Sequence, residues 1–266
     1  MQVDCSEWGD GLPVVLVHSS ASGNRQWHKL AAQLSGQHRV LAPNLRGYGG
    51  TPAWAGARPQ TLDDAAEVLL ACCAALDGPI RLVGHSYGGA VALWAARTLG
   101  SRVSHLALYE PMLPGLLRPH GCIEGAAEAE ALHADVRRFG AAGDWFALAE
   151  RFTDYFNGDG SWTASPVPRR AAIAAALPPN VAEWDPVMAP LPAEAFAGIG
   201  ARCLLLCGTR TRPALRQIAE LLARQYPRWQ FERVDGCGHM APLTHADGVN
   251  RRLAALLQDL PVAIPA

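Results

Sequence analysis

The stretch Ile80–Leu99, IRLVGHSYGGAVALWAARTL, constrains the fold more than any other part of the chain. An apolar run, Ile80-Arg81-Leu82-Val83, meets Gly84-His85-Ser86-Tyr87-Gly88-Gly89, and an Ala- and Leu-rich stretch follows. This reads as strand, sharp turn and helix. Glycines on both sides of Ser86 let strand and helix backbones approach closely, because no Cβ stands between them. The serine then projects from a strained turn. The first N–H groups of the helix, which have no partner within it, aim at whatever sits on the serine. Gly-x-Ser-x-Gly in that setting suits attack on a carbonyl. Without the strand and the helix, the same five residues would be a glycine-rich turn with an incidental serine.

The rest of the chain repeats this alternation. Gln2–Trp8 alternates like a strand, and Val14–Val17, after Pro13, reads as a strand buried on both faces. Arg25–Leu34 has helical spacing through Trp27, Leu30, Ala31 and Leu34, and Arg39–Ala42 is a further buried strand. Thr61 caps a helix to Leu76, with Asp63 and Asp64 in its first turn. Strand Ile80–Val83, helix Tyr87–Leu99 and strand Val103–Tyr109 follow, and the alternation then stops. From Met112 to about Ala197 the chain is helix-rich and punctuated by prolines, with Trp145, Trp162, Trp184 and a Phe152, Tyr155, Phe156 stripe expected to form its own core. Strand Arg202–Cys207, helix Pro213–Gln225, strand Gln230–Val234 and a last helix to Leu257 resume the pattern, and the tail Leu260–Ala266 is expected to be loose. Regular strand–helix alternation implies an α/β fold with a mostly parallel sheet and helices on both faces. Residues 1–111 and 198–266 would form that core, and 112–197 an inserted helical lid.

Composition removes several function classes. With 23 Lys and Arg against 24 Asp and Glu, no basic excess points to nucleic acid or an anionic membrane. The start, Met1-Gln2-Val3-Asp4-Cys5, lacks the charged and apolar regions of a signal peptide, and no apolar stretch is long enough to span a bilayer. Seven cysteines without paired spacing argue against a disulfide scaffold and for a cytoplasmic protein. Cys203 and Cys207, on one strand face, and Cys72-Cys73, in a helix, read as small buried filler rather than a zinc site.

His18-Ser19-Ser20 after one buried strand, Arg46-Gly47-Tyr48-Gly49 after the next, Gly84-His85-Ser86-Tyr87-Gly88 at the turn and Gly238-His239 near the C-terminus together resemble the α/β-hydrolases that carry a lid, over nearly the whole chain. The resemblance implies a serine–acid–histidine triad in that chain order, with no cofactor and no metal. Ser86 is the expected nucleophile and His239, best placed of nine histidines, its base. His18 and His85 flank the site as structural residues, and His245 lies in or near the last helix. By family position the oxyanion would be held by the Tyr87 and Ser20 amides. The family usually has His-Gly where this chain has His18-Ser19.

The acid departs from the family pattern. Gly-x-x-Asp after the strand Arg202–Cys207 is replaced by Gly208-Thr209-Arg210-Thr211, and Thr211 carries no charge. A carboxylate must orient the histidine and stabilise its imidazolium. Glu110, ending the preceding strand at the same sheet edge, is the expected substitute, and Asp235 and Asp185 are the alternatives. Trp27, Met112, Trp145 and Met240 are expected to line a mostly apolar pocket of modest size. A serine at the elbow, where related dehalogenases and epoxide hydrolases place Asp, points to hydrolysis of a small or medium carboxylic ester through an acyl-enzyme. A C–C bond hydrolase, lactonase, perhydrolase or acyltransferase would use the same triad, and a non-catalytic ligand-binding member would keep only the fold. The expected partner is a small-molecule substrate, with no nucleic acid and no membrane; self-association into a homo-oligomer is left open.

Overall fold

The structure, a computed structural model, describes residues 1–258. The tail expected to be loose, 260–266, lies outside the described residues. The apolar runs become seven strands of one sheet: β1 (Cys5–Trp8), β2 (Leu12–Val17), β3 (His38–Pro43), β4 (Ile80–His85), β5 (Val103–Tyr109), β6 (Arg202–Gly208) and β7 (Gln230–Val234). Their order is β1-β3-β2-β4-β5-β6-β7. β1 pairs antiparallel with β3 at one edge, and every other pair is parallel.

Eleven helices accompany the strands among the described residues: α1 (His28–Leu34), α2 (Leu62–Ala74), α3 (Tyr87–Leu99), α4 (Ile123–Ala142), α5 (Trp145–Asn157), α6 (Ser161–Ala164), α7 (Val167–Ala176), α8 (Asn180–Met188), α9 (Pro213–Gln225), α10 (Ala241–Thr244) and α11 (Ala246–Leu257). The period-2 geometry of the strands sorts their side chains into two cores. Val15, Val17, Leu82, Leu106 and Leu205 face α2, α3 and α9, while Val14, Leu16, Val83, Leu204 and Leu206 face α1 and α11. Cover on both faces explains why these strands read as continuous apolar runs.

Local chemistry sets the boundaries. The Thr61 hydroxyl accepts from the Asp64 N–H and the Asp64 carboxylate from the Thr61 N–H, a reciprocal cap that starts α2. The helix expected from Arg25 instead begins as a 3₁₀ turn, Asn24–Trp27, and becomes α-helical at His28. No side chain caps its start, and i→i+3 bonding uses the orphan amides instead. The last helix is split at His245, which leaves helical geometry between α10 and α11.

Between β5 and β6 the chain forms α4 to α8. This insertion rests on the sheet layer through α4 against α9 and α8 against α3. Several of the expected prolines start its helices: Pro166 precedes α7, Pro168 lies in its first turn, and Pro179 precedes α8. Among the described residues no helix is long and apolar enough to cross a membrane.

Backbones approach closely where α3 meets the sheet. A Cβ on Gly88 would lie 2.2 Å from the His18 carbonyl oxygen and 2.6 Å from that of Val17. A Cβ on Gly84 would lie 2.6 Å from the Gly88 oxygen. Gly88→Ala is therefore expected to destabilise the protein by roughly 2–3 kcal/mol, because backbone rather than a flexible side chain must move. Gly248→Ala in α11, where a Cβ meets nothing within 4 Å, is expected to stabilise it by up to about 1 kcal/mol. Equilibrium denaturation of both variants checks the pair; equal effects would contradict the packing account.

Candidate active site

Ser86 sits between the last residue of β4 and the first of α3, at φ 57° and ψ −123°. Among the described residues only Ala21, Ser86 and Glu110 are non-glycines with positive φ. All three belong to this site, and each such conformation costs about 1–3 kcal/mol that surrounding structure must offset. At Ser86 the offset is visible. Its N–H donates to the Tyr109 carbonyl and its carbonyl accepts from the Met112 N–H, both at 3.0 Å.

The structure brings Ser86, His239 and Glu110 into one hydrogen-bonded chain. His239 Nε2 lies 2.9 Å from Ser86 Oγ, and His239 Nδ1 lies 2.7 Å from Glu110 Oε2. All three residues are buried, Glu110 completely. The Glu110 carboxylate also accepts from the Gly208 N–H and from the Thr211 hydroxyl, each at 2.8 Å. Thr211, standing where the family acid was expected, thus donates a hydrogen bond to the carboxylate that reaches His239. The two alternative acids lie elsewhere. Asp235 accepts from the Thr209 hydroxyl, and Asp185 pairs with His133 and Arg137 in the insertion.

A second polar chain fixes the loop after β2. Both the Ser19 N–H and its hydroxyl donate to Gln26 Oε1 at 3.0 Å. Gln26 Nε2 donates to His85 Nδ1 at 3.0 Å, and His85 Nε2–H donates to the His239 carbonyl at 2.9 Å. His18 donates from Nδ1 to the Ser19 carbonyl and accepts the Leu45 N–H on Nε2. Burial pushes the His18 imidazole down to about 4 and that of His85 well below its ordinary value. Both rings are neutral at neutral pH with their nitrogens engaged, the structural role expected of them. Gln26 carried no signal in the sequence, being one polar residue in an amphipathic stretch.

Ser86 opens into a cavity of about 230 Å³. Ser20, Ala21, Met112, Phe152, Phe156 and Met240 are among its walls. Ser20 thus shares this cavity with Ser86, and Tyr87 follows Ser86 in the chain. The Tyr87 amide opens α3, and no acceptor among the described residues takes the Ser20 amide. Met112 and Met240 line the cavity as expected, but Trp27 and Trp145 do not. Trp27 is 1% exposed and packs with Leu16 and Leu30 beneath the opposite face of the sheet. Trp145 begins α5 and packs against the larger core. Phe152 and Phe156, expected to be core of the insertion, pack into the larger core and also wall the cavity, and Phe156 stacks on His239 with ring centroids 4.6 Å apart.

No three His, Cys, Asp or Glu side chains gather into a metal-binding group among the described residues. Cys203 and Cys207 are packed into the larger apolar core, and burial pushes the Cys203 thiol up to about 12, leaving it protonated.

Behind the Ser20 loop lies a buried carboxyl that sequence reading missed. Glu183 of α8 is 2% exposed, and the Asn180 side-chain amide donates to its Oε2 at 3.0 Å. The Ser20 and Tyr48 hydroxyls face it, yet Glu183 Oε1 and Ser20 Oγ each lack a well-formed partner. Burial raises Glu183 to about 7, against the opposing pull of these polar neighbours. A carboxyl whose folded value is raised binds a proton that the unfolded chain releases first. Stability therefore falls as pH rises from about 4.5, the unfolded value, to about 7. Glu183→Gln is expected to remove this dependence and to exceed wild-type stability at pH 8 by up to roughly 3 kcal/mol. Denaturation of both proteins at pH 5 and pH 8 checks it; an unchanged pH dependence would contradict a protonated Glu183.

Comparison with known proteins agrees with this geometry. Residues 14–252 match the model of the alpha/beta hydrolase family. Lipase LipV of Mycobacterium tuberculosis is 28% identical over 253 residues, covering 86% of this chain and 87% of the lipase. The pimeloyl-[acyl-carrier protein] methyl ester esterase of Aromatoleum aromaticum is 28% identical over 272 residues, covering 93% of this chain and 97% of that protein. The structure of a thermophilic esterase from Thermogutta terrifontis superposes with a TM-score of 0.75 at 26% identity, covering 97% of this chain and 93% of that one. With a mostly parallel sheet, a serine at the β4–α3 turn and a family match along most of its length, this chain belongs to the alpha/beta hydrolase family and is a hydrolase.

Proposed function

We propose that this hydrolase cleaves small or medium carboxylic esters through an acyl-enzyme on Ser86. The observation that carries the reading is the unbroken chain from Ser86 Oγ through His239 to Glu110, opening into a small, largely apolar cavity. His239 Nε2 takes the hydroxyl proton as Ser86 attacks the ester carbonyl. The Tyr87 and Ser20 N–H groups meet the negative charge that develops on the carbonyl oxygen. His239 returns the proton to the departing alkoxide, and the alcohol leaves. Water then attacks the acyl-enzyme with His239 again as base, and the carboxylic acid is released. A lactone, being a cyclic ester, follows the same steps.

In this reading Glu110 is the triad acid. It keeps the Nδ1–H tautomer, so that Nε2 faces the serine, and stabilises the imidazolium formed during attack. The Gly208 amide holds Glu110 Oε1, and the Thr211 hydroxyl shares Oε2 with His239, so both carboxylate oxygens are fixed. Neutral His85, with its ring centroid 4.9 Å from that of His239, adds no repulsion to that imidazolium. The insertion, which supplies Phe152 and Phe156 to the cavity, acts as a lid that keeps bulk water from the acyl-enzyme.

The relatives named a lipase and a methyl ester esterase support an ester substrate. Steady-state hydrolysis of a p-nitrophenyl ester series tests the assignment of the acid. Glu110→Gln is expected to lower kcat by on the order of 10³–10⁴-fold. Asp235→Asn and Asp185→Asn are expected to stay near the wild-type rate. An active Glu110→Gln protein beside a crippled aspartate variant would overturn the assignment. Thr211→Val removes one hydrogen bond to the carboxylate and is expected to lower kcat about tenfold with KM little changed; a wild-type rate would show that the Thr211 hydroxyl is dispensable.

A further inference from the structure

A second and larger cavity, about 620 Å³, adjoins the one at Ser86. Phe156, Asn157, Arg169, His239, Met240 and Thr244 are among the walls they share. Their chemistry differs. The smaller is mostly apolar, with Arg169 its one permanently charged wall residue, whereas Arg169, Arg210 and Arg212 all line the larger one and no Asp or Glu does. Across the whole chain positive and negative residues balance, 23 against 24, so a wall with three guanidinium groups and no carboxylate is a local concentration of charge.

The three arginines are not equivalent. Arg212 is already engaged, with Nε 3.0 Å from Glu128 and its guanidinium over the Tyr155 ring. Arg169 and Arg210, both exposed, form no ion pair and no side-chain hydrogen bond among the described residues. Two unmatched guanidinium groups from different elements, the first turn of α7 and the loop after β6, thus face one cavity whose floor includes the catalytic histidine. The planar fork of Arg suits bidentate pairing with a carboxylate, and a partly enclosed cavity with one sign of charge strengthens that attraction.

We infer that the larger cavity receives an anionic group of the substrate, so that the preferred ester carries a carboxylate at the end remote from its scissile carbonyl. The inference rests on ester hydrolysis at Ser86 and adds the substrate class. The apolar cavity accommodates the chain next to the ester, and Arg169 and Arg210 take the distal charge. A neutral ester of equal length fills the same apolar walls but leaves both arginines to water.

Monomethyl adipate and methyl hexanoate test this, since they match in length and differ in a terminal carboxylate. In wild type, kcat/KM for the adipate ester is expected to exceed that for the hexanoate by about tenfold or more at low salt, with the advantage shrinking as ionic strength rises. In the Arg169→Gln/Arg210→Gln protein the ratio should collapse toward one. Arg169→Glu/Arg210→Glu should turn it in favour of the neutral ester. A wild type that prefers methyl hexanoate, or a ratio untouched by either double variant, overturns the inference while leaving ester hydrolysis intact. Hydrolysis of neither ester counts against the ester reading itself, and calorimetry on Ser86→Ala protein then decides the inference alone. Binding of monomethyl adipate that is tighter than that of methyl hexanoate and lost in the arginine variants upholds it; equal binding of the two overturns it.

Discussion

At residues 84 and 88 the backbones of strand and helix come so close that a methyl group would overlap a carbonyl. That approach is the constraint on which the rest of the site depends. It forces Ser86 into a positive-φ turn, lifts its hydroxyl clear of the sheet, and points the start of α3 at the same spot. The hydrogen bonds from Ser86 N–H to Tyr109 and from Met112 N–H to the Ser86 carbonyl bind the strained turn to the end of β5 and the chain after it. The strand that supplies Glu110 therefore also holds the serine in place, and a shift in either disturbs both.

The carboxylate that reaches His239 stands at the end of a different strand from the one where the family acid was expected. β5 and β6 are parallel neighbours, paired residue by residue up to Tyr109 and Leu206, so their ends open at one edge of the sheet. A carboxylate from either end can approach the ring nitrogen of His239 that faces away from Ser86. Here β5 supplies it through Glu110, in a strained backbone conformation, and β6 supplies the Gly208 amide and the Thr211 hydroxyl that hold it. The threonine thus keeps a place in the network, with donor and acceptor roles moved by one strand.

Much of this was legible in the sequence because parallel strands are buried on both faces. Their apolar runs and the glycine-flanked serine located the sheet, the elbow and His239, and strand-end position favoured Glu110 over Asp235 and Asp185 as the carboxylate that the fold sets against His239. What stayed hidden was direction. Trp27 follows the Ser20 loop closely in sequence, yet the 3₁₀ turn that carries it directs its side chain under the opposite face of the sheet. Trp145 lies seven residues before Phe152 and on nearly the same face of α5, but at 1.5 Å per residue it stands about 10 Å further along the helix axis, beyond the cavity wall. Gln26, Glu183, Arg169 and Arg210 acquire meaning only from what surrounds them. A polar residue in an amphipathic stretch gives the same signal whether it faces solvent or a site.

The central claim is that Ser86 is a working nucleophile activated by His239 and Glu110. Reaction of the folded protein with a fluorophosphonate, followed by peptide mass spectrometry, tests it most directly. The account predicts stoichiometric labelling confined to Ser86, abolished in His239→Ala and strongly slowed in Glu110→Gln. Labelling at another residue, or none at Ser86 in folded wild-type protein, would contradict it.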